Sequence, residues 1–314
     1  MVKKKHIGII IIAILIIIGA IYAYNTYSSD SDVISIGYQP SDHDAALFVA
    51  NASGMFTDAG LKVELHEYSN GGDLMSAMAS GDVDVGYVGI TPFLSSKAKG
   101  VPVKIVAGVQ TEGSGIVAKD SSIQSLSDLK GKTVATIGDA SIQHMLLQYA
   151  LEEEGMSLSD VNAPSMNVAT LTDALRNGKI DAMVTPEPYV SIAESNGGYI
   201  VERSGEIIEN HPCCVVAMSD DFLNKHPDVA KKYLEIQSNA TQQLIDDANN
   251  SVQYLPSSIV PNATLEQTTL SNMNWVVGLN DTYKQNIRDF ITIENKLGVL
   301  NKTFTDDELF YVSE

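Results

Sequence analysis

The chain reads as an α/β protein of two lobes, each a sheet flanked by helices, with an N-terminal transmembrane anchor and a helical C-terminal tail. Three observations lead there. Short apolar runs alternate with helical stretches from Val33 to Val109, the alternation restarts at Thr133, and from Phe222 onward the pattern is almost wholly helical. With 314 residues, 44% hydrophobic composition and only 2 cysteines, the chain is too apolar for disorder and too poor in cysteine for a disulfide scaffold.

The N-terminus comes first. Lys3, Lys4 and Lys5 precede an uncharged run from Ile7 to Tyr24, which as a helix is about 27 Å long and matches the hydrocarbon thickness. The basic flank stays in the cytoplasm, so the rest of the chain lies outside the cell, on the outer face of the membrane. A cleaved signal sequence, releasing a secreted protein, is the competing reading, but Ile21 and Ala23 make a poor small-x-small site. Residues 1–24 are therefore anchor or signal sequence and 25–32 a polar tether.

Val33 to Tyr38 alternates as a strand, and Asp42 to Ala52 is a buried helix behind Ser41 and Asp42 as capping candidates. Leu61 to Glu67 is a strand, Asp73 to Ser80 a helix stopped by Gly81, and Val83 to Val88 a strand. Thr91 to Lys99 is a helix opened by Thr91 and Pro92, and Val103 to Val109 a strand. Such alternation predicts a parallel sheet covered on both faces. The second unit has strands at Thr133–Ile137, Ser165–Val168 and Ile180–Thr185, with helices at Ser141–Glu154 and Leu171–Asn177. Helices follow from Phe222 through Asn249, around Gln267 to Leu279, and from Thr282 to Leu297. Gly-rich segments at Glu112–Gly115 and Asn196–Gly198 mark crossings between lobes. Lobe one is thus 33–112 with 220–314, and lobe two 113–219.

Composition excludes several functions. Twenty basic against 39 acidic side chains leave a net charge of −19, and arginine occurs only at Arg176, Arg203 and Arg288, so no basic face exists for a nucleic acid. Gly131-Lys132-Thr133 ends like a phosphate loop but Leu126 stands where the first glycine belongs, and His66-Glu67 lacks the second histidine of a zinc-protease helix. No Gly-x-Ser-x-Gly or Gly-x-Gly-x-x-Gly occurs. No catalytic residue, cofactor or resident metal is expected. Asn51, Asn239, Asn249, Asn262, Asn280 and Asn301 open Asn-x-Ser/Thr sequons, readable as glycosylation acceptors or as plain polar surface.

Polar clusters on loops after strands are the candidate ligand contacts. Gln39, Ser41 and His43 surround a helix start whose free N–H groups suit an anion or a carbonyl oxygen. Gly71 and Gly72 allow close backbone approach, or simply turn the chain. Thr91 is a cap or a contact, Ser114 lies in the crossing segment, and Ala140 and Ser141 open a helix of lobe two. Glu187, held between Pro186 and Pro188, is a contact or an inter-lobe brace. His211-Pro212-Cys213-Cys214 reads as two buried thiols on a strand, or as a soft-metal site with His211 that lacks two further ligands. His43, Thr91, Ser141 and Glu187 are expected to face one cleft, and alanine at His43 or Ser141 to weaken binding with little loss of stability.

Gly37-Tyr38-Gln39-Pro40, Asp44-Ala45-Ala46-Leu47, Gly54-Met55-Phe56, Gly81-Asp82-Val83-Asp84-Val85-Gly86, Asp128-Leu129-Lys130-Gly131-Lys132, Glu187-Pro188 and Phe222-Leu223 with His226-Pro227 together resemble the substrate-binding proteins of nitrate, sulfonate and taurine ABC importers. The resemblance runs from about Val33 to Asn250. It implies a type II periplasmic-binding-protein fold and a monomeric extracytoplasmic receptor, with Cys213 among the ligand-binding residues. This receptor would deliver a small molecule to a membrane permease and its ATPase. The scarcity of arginine favours a small oxyanion held by amides and hydroxyls, sulfonate or taurine before nitrate or bicarbonate. The alternative is a binder of a thiamine pyrimidine precursor, or a related pyrimidine-forming enzyme, whose eukaryotic representatives carry a cysteine-rich string near Cys213-Cys214.

Overall fold

The computed structural model describes residues 33–260 and 262–312. The expected anchor and tether, residues 1–24 and 25–32, lie outside them. Among the described residues no helix is long and apolar enough to cross a membrane.

Two separate sheets organise the chain. The first half supplies β1 (Ile34–Tyr38), β2 (Val63–Glu67), β3 (Val85–Gly89), β4 (Val103–Thr111) and β5 (Ser114–Ala118). The second supplies β6 (Val134–Ala135), β7 (Ala182–Pro186), β8 (Tyr199–Arg203), β9 (Pro212–Ser219) and β10 (Asn274–Trp275). The first sheet has the order β10-β4-β9-β3-β1-β2 and the second β6-β7-β5-β8. The principal helices are α1 (Ala45–Ala52), α2 (Gly71–Ser80), α3 (Ile90–Ala98), α4 (Ile142–Glu153), α5 (Val168–Arg176), α6 (Tyr189–Ser195), α7 (Pro227–Asp246), α8 (Ala263–Asn272) and α9 (Asp281–Lys296).

The parallel sheet expected from alternation is only half right. β1 pairs in parallel with β2 and β3, but β9 runs antiparallel to both β3 and β4, and β5 is antiparallel to β7 and β8. β9 belongs to the first sheet, so the chain returns there ahead of Pro212 and not at residue 220. No strand forms over Ser165–Val168. Ser165 makes a single bridge to Thr136, and the Asn167 side chain then accepts the Ala169 N–H at 2.9 Å and starts α5. The helix expected through Asn249 is broken at His226–Pro227, because proline cannot donate to a continuing helix and instead opens α7. α8 stops at Asn272, and Asn274–Trp275 pairs with Gln110–Thr111 of β4 where a helix to Leu279 was expected. Two of the sequons are helix caps: the Asn262 amide oxygen accepts from Thr264 and Leu265, and that of Asn280 from Tyr283.

The central strands of the first sheet, β3, β4 and β9, are buried almost throughout, while the edge strand β2 is partly exposed. α7 packs against α1 and is pinned to the sheet by a polar chain inside the core. The Tyr233 hydroxyl donates to that of Tyr87 at 3.1 Å, Tyr87 donates to the Gln237 carbonyl, and the Gln237 amide donates to Thr241 at 3.3 Å. All four side chains are buried, and each link satisfies a group that would otherwise be stranded away from water. Smaller cores lie under α5 and α6 and under α4 in the second sheet.

One buried carboxyl lacks such partners. Glu294 of α9 is 0% exposed, and its carboxyl has no partner in good hydrogen-bond geometry, only the Thr91 hydroxyl beside it. Burial lifts it from 4.5 to about 7, with the Thr91 hydroxyl opposing part of that rise. The folded chain therefore holds a proton that the unfolded chain has released between these values. That contribution to stability is complete below 4.5 and is lost as pH rises to about 7, about 3 kcal/mol for this shift. Thermal melts from pH 4.5 to 8.5 should show Glu294→Gln close to the wild type at pH 5 and more stable than it at pH 8. An unchanged difference across the range would exclude Glu294 as the source.

Candidate functional site

A small cavity, ≈30 Å³, opens at the C-terminal ends of β1 and β3 and is lined by Gln39, Ser41, His43, Gly71 and Ser141, five of the residues singled out from sequence. Four helices begin on it. Gly71 is the first residue of α2, Gly89 precedes α3, Ser141 and Ile142 start α4, and Val168 starts α5. The first turn of each helix carries N–H groups without intrahelical partners and the positive end of a dipole, so four such ends converge on one small volume. Among the described residues no lysine or arginine lines it.

Asp44, absent from the sequence-based candidates, is the one carboxyl in the lining among the described residues. Burial raises it to about 8, against the opposing Gln39 N–H, which donates to it at 2.9 Å, and His43. At neutral pH it is therefore protonated and adds no negative charge to the cavity. Gln143 and Cys214 also line the cavity. Neither was among the sequence-based ligand contacts: Gln143 lies one residue inside a helix start, and Cys214 was read only as a buried thiol or soft-metal ligand, because nothing in the sequence pairs β9 with β3.

The other candidates are dispersed. Thr91 is fully buried in α3 beside Glu294 and faces the core, and Cys213 lies behind His43. Gly72 and Ala140 line a separate cavity that also contains Lys99 and Ser96. Ser114 and Glu187 line a neighbouring cavity of ≈440 Å³ with Arg203 and residues of α8. Glu187 is engaged: its carboxylate accepts from the Ser191 N–H and hydroxyl, both at 3.0 Å, and pairs with Arg203 at 3.2 Å. Its backbone carbonyl accepts from Asp42 N–H and its N–H donates to Gly113, which ties the loop after β7 to the helix start after β1. Asp42 and Glu266 of α8 form a buried carboxyl pair next to it. Desolvation and mutual repulsion raise Asp42, and desolvation raises Glu266, as expected when two acids share one proton.

His43 is positioned by Gly113. The His43 Nε2–H donates to the Gly113 carbonyl at 2.9 Å, the same oxygen that accepts Glu187 N–H. Gly113 has φ +82°, and a Cβ there would lie 2.9 Å from Nε2, so only glycine permits this approach. Nδ1 then faces the thiols, 3.5 Å from Cys213 Sγ and 3.4 Å from Cys214 Sγ. The histidine beside the cysteines is thus His43 and not His211. The His211 ring stacks on Phe290, approaches the Pro212 carbonyl through Nδ1, and is driven down to about 4 by burial.

Two α/β sheets with a cavity at strand and helix ends define a periplasmic-binding-protein fold. A ligand-binding component of an ABC-type import system from Staphylococcus aureus, with zinc bound, superposes with a TM-score of 0.78 over 89% of this chain and 96% of that one, at 22% identity. The chain belongs to the NMT1-like family, whose model matches residues 28–254. It is similar to the taurine-binding periplasmic protein of Escherichia coli, 26% identical over 72% of this chain and 71% of the relative. It is also similar to a 4-amino-5-hydroxymethyl-2-methylpyrimidine phosphate synthase of Saccharomyces cerevisiae, 29% identical over 70% and 68%.

The geometry corrects the expectation for Ser141. Its hydroxyl accepts the His144 N–H at 3.1 Å and donates to the Gly138 carbonyl at 2.6 Å, so it caps α4. Ser141→Ala should therefore cost about 1 kcal/mol of stability as well as affinity, read by denaturant unfolding; no change in stability would show that the cap contributes nothing. At Gly71 a Cβ would lie 2.6 Å from the Pro92 ring. Gly71→Ala should cost about 1–3 kcal/mol and lower Tm by several degrees; an unchanged Tm would mean that α2 and α3 part without penalty.

Proposed function

We propose that the protein is an extracytoplasmic solute-binding receptor of an ABC importer that captures a small oxyanion, sulfonate or taurine before nitrate or bicarbonate. The observation that carries this reading is the convergence of four helix N-termini on one cavity without a basic side chain. Such a site stabilises an anion through oriented amides, and a protonated Asp44 spares it repulsion. Kinship with the taurine-binding protein supports the same ligand class.

The receptor works as a monomer on the outer face of the membrane, held by residues 1–24, and passes its solute to a permease and an ATPase. Its lobes are the two sheets with their helices. At ≈30 Å³ the cavity has room for an oxyanion head and little more, so the lobes separate to admit the rest of a sulfonate. Catalysis is not part of this reading. A pyrimidine binder or pyrimidine-forming enzyme is the second reading, and it rests on the kinship with the yeast synthase.

Thermal-shift and calorimetric titration of the full chain against taurine, alkanesulfonates, nitrate, bicarbonate and 4-amino-5-hydroxymethyl-2-methylpyrimidine tests both. Sulfonates at a hundred times Kd should stabilise the fold by about 2.7 kcal/mol. Stabilisation by the pyrimidine alone would replace the first reading with the second.

A further inference from the structure

We propose that His43 Nδ1, Cys213 Sγ and Cys214 Sγ form a three-ligand site for a thiophilic closed-shell cation of the zinc class, with its fourth coordination position open to the ligand cavity. The three atoms are already spaced for it. The two sulfurs are 3.8 Å apart, and Nδ1 lies 3.5 and 3.4 Å from them. Tetrahedral zinc, with Zn–S about 2.3 Å and Zn–N about 2.0–2.1 Å, requires S···S near ~3.8 Å and N···S near ~3.6 Å.

Adjacent residues on a regular strand point to opposite faces, so two neighbouring cysteines do not ordinarily share a ligand. Here β9 is irregular against β4. Cys214 faces Gln110 and Pro212 faces Thr111, the register shifts around these positions, and Cys213 has no β4 partner in the ladder. This extra residue bends the strand and turns both sulfurs towards His43. The imidazole is prepared as well. Its Nε2–H is committed to the Gly113 carbonyl, which leaves the Nδ1 lone pair facing the thiols, the arrangement by which a carbonyl orients a metal-binding histidine.

Among the described residues no fourth His, Cys, Asp or Glu joins this group. His43 and Cys214 line the cavity, and a water or a solute oxygen there completes the shell. Binding expels two thiol protons, and a dication with two thiolates is neutral, which suits a site where all three side chains are buried. The same contacts in the metal-free protein are weak S–H···N and S–H···S interactions, which require no cation. The experiment therefore reads metal uptake directly and in the absence of solute, so its outcome is independent of the transport reading.

The full chain, solubilised in detergent and reduced, is titrated with Co²⁺ and then Zn²⁺. One Co²⁺ per chain is expected, with sulfur-to-cobalt charge-transfer absorption in the near ultraviolet and the intense visible bands of tetrahedral cobalt, all abolished by Zn²⁺. Cys213→Ser and His43→Asn should each weaken Zn²⁺ by at least about a hundredfold in chelator competition, since losing a ligand costs more than losing its supporting shell. Thermal unfolding supplies a readout on the unmutated chain: one equivalent of Zn²⁺ should raise Tm, and a chelator should reverse the rise. No uptake at micromolar Zn²⁺ overturns the proposal. So does uptake undiminished in the Cys213→Ser/Cys214→Ser double variant, or capture of Fe²⁺ with exclusion of Zn²⁺ and Co²⁺.

Discussion

Strand β9 running antiparallel between β3 and β4 is the constraint on which the site depends. It is buried along its whole length and brings the second half of the chain back into the sheet built by the first. Its register sets Cys214 opposite Gly89 at the C-terminal end of β3, where α3 begins. That end of a sheet is where strand termini and helix starts leave a crevice. A shift of one residue would exchange the buried and facing side chains of β9 and remove the cysteines from His43.

Electrostatics in the cavity rest on backbone and not on side-chain charge. The chain carries a net −19, yet the acidic groups nearest the cavity are neutralised or occupied. Asp44 is held protonated by burial, Asp42 and Glu266 are both raised in their shared enclosure, and Glu187 is tied to Ser191 and Arg203. What remains facing the cavity is the positive end of four helices. The Gly113 carbonyl joins these parts, because one oxygen holds both His43 and the loop that follows β7.

Much of the fold was legible because it is written in local patterns. β1, β2, β3, α2, α3 and α4 all fall within two residues of the expected positions, since apolar periodicity, Gly81 and the Ser141 cap act on their own neighbours. Ser165–Val168 failed for a local reason too: Asn167 is a better helix cap than a strand residue. β5 and β8 escaped notice because five apolar or mixed residues between turns carry no period long enough to distinguish a strand.

By itself the sequence determined the α/β class, the scarcity of arginine, and the helix starts at Gln39–His43 and Ser141. Tertiary structure alone decided that β9 is antiparallel, that Thr91 faces Glu294 instead of the cavity, that the Glu187 carboxylate is tied to Ser191 and Arg203, and that His43 meets Cys213 and Cys214 across 170 and 171 residues. The physical reason is range. Capping and periodicity arise from interactions within a few residues and leave a mark at fixed spacing, whereas strand pairing and burial are chosen by competition among distant surfaces and leave none.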